Sequence, residues 1–133
     1  MTVGLLLITH ENLGDVTLQT IKTILGVCPL DTKTLSVPFD ANPDQLFDDA
    51  KQHVNNLDNG EGVLVLTDLF GATPSNIAHR LVENNRVTVV TGLNLSMLMR
   101  VLNYPNLSLE QLVEKAARGG SEGVVTTSHT NIA

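Results

Sequence analysis

Two uninterrupted runs of aliphatic residues constrain the fold of this chain most strongly. The sequence LLLI lies at residues 5–8 and the sequence VLVL at residues 63–66. A strand with one solvent-facing side alternates apolar and polar residues, so continuous runs are typical of strands buried on both faces of a parallel sheet. Helices must then cover both faces of that sheet. The sequence therefore predicts a three-layer α-β-α fold.

Segments with helical periodicity separate four candidate strands, at residues 3–8, 34–37, 62–67 and 86–91. Right-handed crossovers favour a mainly parallel four-stranded sheet of order 2-1-3-4, with the first strand between the second and the third. In three intervening segments, apolar residues recur every three or four positions, as on one helix face. These are Leu18, Ile21, Leu25 and Cys28, then Leu46, Ala50, Val54 and Leu57, then Ile77, Ala78, Leu81 and Val82.

The last third of the chain predicts two more helices and an unplaced segment. The helices are expected at residues 95–102 and 109–117, with Gly119 and Gly120 ending the second. Residues 124–127, VVTT, have strand composition but no free place in a four-stranded sheet. Composition leaves two alternatives open, a strand that pairs with another subunit and a frayed terminus.

The amino-acid composition predicts a single domain and argues against several classes of function. A hydrophobic fraction of 42% over 133 residues predicts one domain spanning residues 1–133. The formal net charge of −6 and the absence of tryptophan argue against nucleic-acid binding, which needs cations and stacking rings. The single cysteine, Cys28, favours core packing over a disulfide or zinc site. The opening apolar run is too short to span a membrane and follows no cation, so we expect a cytoplasmic protein.

The candidate site lies where strands one and three end. In the predicted order their carboxyl ends meet, which is where ligands bind in open α/β sheets. His10 follows the first strand and Asp68 the third, so we expect a hydrogen bond between imidazole and carboxylate. Such a bond fixes the histidine tautomer and leaves the second ring nitrogen free as a base, ligand or nucleophile. A solvated histidine and a turn-capping aspartate are the simpler alternatives.

The sequence GATPSN at residues 71–76 predicts a loop that opens a helix facing this pair. Gly71 permits close approach of the backbone, Thr73 suits the N-cap and Pro74 the first helical position. The N-terminus of a helix favours an anion such as phosphate. A nucleophilic imidazole, an orienting carboxylate and an anion cradle together favour a phosphoryl carrier. The cradle holds no lysine or arginine, and we hypothesise that neutral donors hold a phosphoryl group without trapping it.

A metal-dependent hydrolase is the chemical alternative. His10, Glu11, Asp15 and Asp68 could converge as nitrogen and oxygen ligands. The chain lacks both the G-x-S-x-G motif typical of esterases and the P-loop typical of nucleotide hydrolases, which argues against both classes of enzyme. A phosphoryl carrier needs neither a metal nor an organic cofactor, so we expect none.

Four separated motifs resemble the mannose-type enzyme IIA component of the bacterial phosphoenolpyruvate-dependent sugar phosphotransferase system. They are ITH at residues 8–10, GVLVLTD at 62–68, GATPSN at 71–76 and VVTGLNLSML at 89–98. The phosphotransfer subunit of dihydroxyacetone kinase has a similar fold, but its loop after the third strand lacks this glycine–threonine–proline form.

The resemblance implies a protein-histidine phosphotransferase. His10 would accept a phosphoryl group from the histidine-containing phosphocarrier protein and pass it to a IIB component, and Asp68 would orient the imidazole. Thr73 and the neighbouring backbone of Gly71 and Ala72 would bind the phosphoryl group. The family also commonly forms a homodimer that exchanges a C-terminal strand.

Exposed apolar residues near His10, with Leu13 and Phe70 as candidates, are predicted to form the docking surface.

The chain departs from the family pattern in two ways. Glu11 follows the histidine where relatives often have glycine, which places a carboxylate near an incoming phosphoryl group. The sequence ends at Ala133 without a IIB domain, so we expect a separate downstream partner and contact with a membrane only indirectly, through a permease. A regulatory module, whose His10 phosphorylation state controls the binding of a regulatory protein, is the alternative to sugar uptake.

Overall fold

The four strands form one parallel sheet. In the computed structural model, which describes residues 1–130, they are β1 Gly4–His10, β2 Thr32–Val37, β3 Val63–Thr67 and β4 Val87–Thr91. Every neighbouring pair is parallel, and the order is β2-β1-β3-β4. The predicted sheet order is confirmed.

Helices cover both faces of the sheet. They are α1 Leu13–Leu25, α2 Pro43–Leu57, α3 Thr73–Arg80, α4 Leu95–Leu102 and α5 Leu109–Glu122, with a short 3-10 helix at Leu81–Glu83. One apolar core packs β1 and β3 against α1, α4 and α5, and a second packs them against α2 and α3. Successive residues of β1 alternate between the cores, Leu5 and Leu7 in the first and Leu6 and Ile8 in the second. This alternation explains the continuous apolar runs and confirms the three layers.

Helix α5 is longer than predicted. Gly119 and Gly120 lie inside it and do not end it. A Cβ atom at Gly119 would lie 2.5 Å from Cβ of Arg100, and one at Gly120 would lie 2.8 Å from Cε of Met97, both in α4. The glycines therefore let α5 pack closely on α4. The prediction was wrong because a glycine pair signals a helix end and a close helix contact equally well.

Helix α1 is shorter than its apolar spacing suggested. It ends at Leu25, and Gly26 adopts a left-handed conformation with φ 80° that closes the last turn on Lys22. Cys28 thus lies beyond the helix, although it packs partly buried against the first core, as expected of a core thiol. Val82 was predicted on a buried helix face, but the switch to a 3-10 helix turns it toward solvent.

The C-terminal segment has no regular structure in the single chain. Residues 124–127 lie outside the helices and strands, and Val124 and Val125 are exposed. Exchange of this segment between subunits therefore stays a prediction. Within residues 1–130, no helix has the length and apolar character needed to cross a membrane.

Candidate functional site

The pairing of β1 with β3 brings His10 and Asp68 together. Ile8 lies beside Thr67 in the register, so the last residue of β1 and the first residue after β3 leave the sheet at the same edge. The Nδ1 atom of His10 lies 2.9 Å from Oδ2 of Asp68, and the His10 backbone N–H donates to the same oxygen at 2.9 Å. The predicted contact is present, and the aspartate holds both the ring and the main chain of the histidine.

Asp68 is ionised more readily than a free aspartate. Partial burial raises the pKa of its carboxyl group, but three hydrogen bonds outweigh that effect. Two come from the backbone and ring of His10, and the third comes from the Leu69 N–H to Oδ1 at 2.9 Å. The pKa of Asp68 is therefore below its usual value, and the group is a carboxylate at neutral pH.

The ionised carboxylate determines the tautomer of His10. Because a carboxylate can only accept hydrogen bonds, Nδ1 carries the proton in the neutral ring, and Nε2 keeps its lone pair. The His10 side chain is 47% exposed, whereas that of Asp68 is only 9% exposed. The arrangement therefore presents a nucleophilic nitrogen from a fixed ring.

A shallow pocket of about 300 Å³ opens beside His10. Residues from the end of β2 and the following loop form one wall, and the loop and first turn of α3 form the other. Its lining residues are His10, Val37, Pro38, Phe39, Gly71, Ala72, Thr73 and Asn76. Neither lysine nor arginine is among these lining residues, as the sequence suggested.

Helix α3 begins at the pocket, one residue earlier than predicted. Ala72, in an extended conformation, is the N-cap, and Thr73 is the first helical residue, so Thr73 is not the N-cap. The Asn76 N–H donates to the Ala72 carbonyl at 2.9 Å, which closes the first turn. Gly71 has φ 87°, a left-handed conformation that glycine adopts without strain and that turns the chain into the helix. Thr73 still lines the pocket at the positive end of the helix.

Glu11 contacts the opposite wall of the pocket. Its Oε1 accepts a hydrogen bond from the Phe39 N–H at 3.1 Å, and its own N–H donates to the Val37 carbonyl at 3.0 Å. Glu11 has φ 46°, and it is the non-glycine residue with positive φ among the described residues. A side chain in this region costs about 1 kcal/mol relative to glycine, so a glycine at this position would be less strained.

The carboxylates proposed as alternative metal ligands have other partners. Asp15 accepts hydrogen bonds from the hydroxyl groups of Thr34 and Ser36 on β2. Within the described part of the chain, no three histidine, cysteine, aspartate or glutamate side chains lie together as a metal site. The convergence that the metal hypothesis required of His10, Glu11, Asp15 and Asp68 is absent there.

The two predicted docking residues are exposed but lie outside the pocket lining. Leu13 lies at the start of α1, and Phe70 packs edge-on against His79 with ring centroids 5.6 Å apart. Sequence reasoning missed Phe39, which is fully exposed and lines the pocket, and it also missed the exposed Leu69. Asn76 was quoted in the loop motif without a role, yet its side chain lines the pocket and donates to the Gly71 carbonyl at 3.4 Å. For Phe39, its position just after the end of β2 was the feature of the sequence that could have placed it at this edge of the sheet.

Comparison with known proteins assigns the family. The EIIA-man model, described as the fructose IIA component of the phosphotransferase system, matches residues 4–117. The chain belongs to the mannose-type enzyme IIA family.

Relatives of this IIA chain agree in sequence and fold. The mannose-specific EIIAB component of Escherichia coli K12 is 31% identical over 127 residues, which cover 93% of this chain and 39% of that protein. The chain thus spans well under half the length of this curated relative. The phosphotransferase component EIIA of Streptococcus agalactiae is 27% identical, with a TM-score of 0.81 over 93% of this chain and 96% of that one. The mannose/sorbose-specific IIA subunit of Enterococcus faecalis shares the fold, with a TM-score of 0.86, 24% identity and full coverage of both chains.

Proposed function

We propose that this IIA chain carries phosphoryl groups on His10. It accepts the group from the phosphorylated histidine of the phosphocarrier protein and passes it to a IIB component during sugar uptake. The hydrogen bond between Nδ1 of His10 and Asp68 is the main support, because it leaves Nε2 as the free nucleophile beside the pocket. This role makes the chain a protein-histidine phosphotransferase that works in the cytoplasm.

The chemistry is an exchange of one phosphorus–nitrogen bond for another. The Nε2 lone pair of His10 attacks phosphorus, and the bond to the donor histidine breaks, which returns an electron pair to the donor nitrogen. The proton on Nδ1 stays in place, held by Asp68, whose negative charge stabilises the ring as it becomes cationic. In the delivery step a nucleophilic histidine or cysteine side chain of the IIB partner attacks phosphorus, and the bond to Nε2 breaks, which returns the electron pair to Nε2 of His10. No metal or organic cofactor takes part in this scheme.

Helix α3 supports the charge of the transferred group. Backbone N–H groups in the first turn of a helix have no partners within the helix, and the helix dipole favours an anion there. Pro74 contributes no N–H group, and the Ala72 N–H already donates to the Leu69 carbonyl at 3.2 Å. The Thr73 hydroxyl and the neighbouring backbone, chiefly that of Gly71, are therefore the proposed ligands. These donors are neutral, so they stabilise the phosphoryl group without the strong attraction of a lysine or arginine. That suits a carrier, which must release what it binds.

The test is a reconstituted transfer chain. The protein is incubated with phosphoenolpyruvate, enzyme I and the phosphocarrier protein, and its intact mass is measured under alkaline conditions because phosphohistidine is acid-labile. One added phosphoryl group on the wild type and none on a folded His10→Gln variant is the expected result. An unmodified wild-type protein, or a modified His10→Gln variant, would contradict the proposal.

A second stage of the same experiment separates uptake from regulation. Purified phosphoprotein is mixed with a IIB component, and loss of the phosphoryl group from this chain is followed together with its gain by IIB. Transfer supports the role in uptake. A phosphoprotein that binds a regulatory protein without transferring its group would support the regulatory alternative.

We also propose that the chain works as a homodimer in which residues 124–127 pair with the partner subunit. The support is the resemblance to the family together with the exposure of Val124 and Val125 in the single chain. Light scattering on the full chain and on a chain ending at Gly123 tests this. A dimer that becomes a monomer on truncation is expected, and a monomeric full chain would contradict it.

A further inference from the structure

Glu11 connects the phosphoryl-bearing strand to the far wall of the pocket. It follows His10 directly and makes two hydrogen bonds to the segment that ends β2. Its N–H donates to the Val37 carbonyl at 3.0 Å, and its carboxylate accepts from the Phe39 N–H at 3.1 Å. Any residue could make the first bond, but only a side chain with an acceptor oxygen can make the second.

The second bond fixes the segment at the point where it leaves the sheet. Pro38 has no N–H group to continue the pairing with β1, so the Phe39 N–H is the next donor available to anchor the loop. Ala41 closes a turn on the Pro38 carbonyl at 3.1 Å, which makes the loop around Phe39 short. Loss of the Glu11 carboxylate would leave Phe39 attached only through its neighbours in the chain.

The Phe39 ring is fully exposed while its residue lines the pocket beside His10. Exposed aromatic side chains at the centre of a contact area commonly contribute much of the binding free energy between proteins. The Glu11 hydrogen bond holds the main chain of Phe39, and a loop held in place before binding loses less conformational freedom on docking than a mobile one. A fixed Phe39 therefore favours a protein that approaches His10.

We propose that Glu11 is a positioning residue that holds Phe39 for docking of the phosphoryl-donor protein. The inference rests on the proposed function, since it assigns the docking side of the same transfer. Glu11 does not touch the reacting atoms. It acts through the main chain of Phe39, whose N–H donates to its carboxylate.

Because of the backbone conformation of Glu11, the proposal predicts that one substitution maintains or raises thermal stability and weakens docking. Glycine adopts φ 46° without strain, so Glu11→Gly should leave the thermal stability equal or raise it. The same change removes the anchor of Phe39, so it should weaken docking. A side chain with only a structural role would lower stability on removal and leave docking unchanged.

The experiment compares steady-state transfer from the phosphocarrier protein to wild-type, Glu11→Gly and Glu11→Gln chains. For Glu11→Gly, a rise in KM of about fivefold to tenfold with kcat within about twofold is expected, the range of a modest interface contact. Glu11→Gln keeps an acceptor oxygen for the Phe39 N–H and should restore KM. Phe39→Ala should raise KM as well, and adding Glu11→Gly to Phe39→Ala should have little further effect.

Three results would overturn this inference. Faster transfer in both Glu11→Gly and Glu11→Gln would mean that the carboxylate acts by repelling the phosphoryl group. An unchanged rate of hydrogen exchange at the Phe39 amide in unphosphorylated Glu11→Gly, measured by NMR, would mean that Glu11 does not hold the loop. A wild-type chain that accepts no phosphoryl group overturns the proposed function and the docking role together, whereas the exchange measurement tests the anchor alone.

Discussion

Two aspartates flank strand β3, and they form contrasting pairs. Asp58, on the side where the strand begins, contacts the guanidinium of Arg86 through both oxygens, at 2.6 and 3.2 Å. It also accepts backbone N–H bonds from Gly60 at 2.9 Å and Gly62 at 3.1 Å. These bonds lower the pKa of Asp58 from 3.8 to about 2, chiefly through the side-chain hydrogen bond with Arg86.

Asp68, on the side where β3 ends, differs in its partner. The main-chain N–H and Nδ1 of His10 both hydrogen-bond to the carboxylate. Nε2 of the ring stays available beside a pocket. Arginine keeps its charge and presents donors only, so its pairing with Asp58 can do little except stabilise the fold. Histidine has a second nitrogen with a lone pair, so the same kind of carboxylate contact prepares it for chemistry. The two pairs therefore differ chiefly in the partner of the aspartate, because histidine keeps a free nitrogen lone pair and arginine does not.

Asp68→Asn should reduce the rate of phosphoryl transfer more than Asp58→Asn or Thr73→Val does. Either orientation of the asparagine amide places its NH2 group against a backbone donor, the His10 N–H or the Leu69 N–H, so the neutral side chain no longer holds Nδ1 of His10 as the carboxylate does. We expect phosphoryl acceptance by His10 to slow about 100-fold or more. Rapid-quench measurement of single-turnover transfer checks this, and a rate within threefold of wild type would show that Asp68 does not orient the ring.

Asp58→Asn is the matched control at the other end of the strand. It keeps the size of the side chain and removes the charge that binds Arg86, a pair that is partly exposed to solvent. We expect the free energy of unfolding to fall by about 1 to 2 kcal/mol, with the transfer rate within about twofold of wild type. Urea unfolding measures the first quantity. A large loss of transfer with intact stability would break the contrast between the two pairs.

The stability supplied by Asp58 should depend on pH in a defined direction. Its pKa is lowered from 3.8 to about 2 in the folded chain, so the folded state holds the ionised form more strongly than the unfolded state. The contribution is therefore complete above the unfolded value and is lost as the pH falls through the folded value. The difference in unfolding free energy between wild type and Asp58→Asn should shrink between about pH 4 and pH 2. A difference that grows on acidification would contradict this assignment.

Thr73→Val should slow transfer far less than Asp68→Asn does. The substitution removes one hydroxyl group at the start of α3 and keeps the branched shape, so the backbone donors remain. We expect transfer to slow about tenfold, the low end for one hydrogen bond to a charged group, which is worth about 1.5 kcal/mol. Donor affinity should stay unchanged, because in the proposed function the hydroxyl contacts the phosphoryl group and not the donor protein. A changed affinity with an unchanged rate would assign Thr73 to docking.

The sequence was sufficient for the sheet and for the central contact of the site. Runs buried on both faces indicate parallel strands, and parallel strands have few permitted orders, so the contact between His10 and Asp68 followed from topology. It depends only on which strands are neighbours and where each one ends. That information is carried by local patterns.

Features that depend on contacts between distant segments were not predictable in the same way. Glu11 and Phe39 are 28 residues apart, and their hydrogen bond depends on the path of a loop that no local pattern defines. The pair of Asp58 and Arg86 was missed for the same reason. The predicted helix end at Gly119 and Gly120 was wrong because these glycines leave room for Arg100 and Met97 of another helix. A local pattern of residues does not reveal such a contact.

The most direct test of the account is to locate the phosphoryl group on the ring of His10. NMR of nitrogen-15-labelled, phosphorylated protein distinguishes the two ring nitrogens through their coupling to phosphorus. With Nδ1 held by Asp68, the phosphoryl group should be bonded to Nε2 of His10. A phosphoryl group on Nδ1, or on another histidine, would contradict the central role assigned to the His10–Asp68 pair.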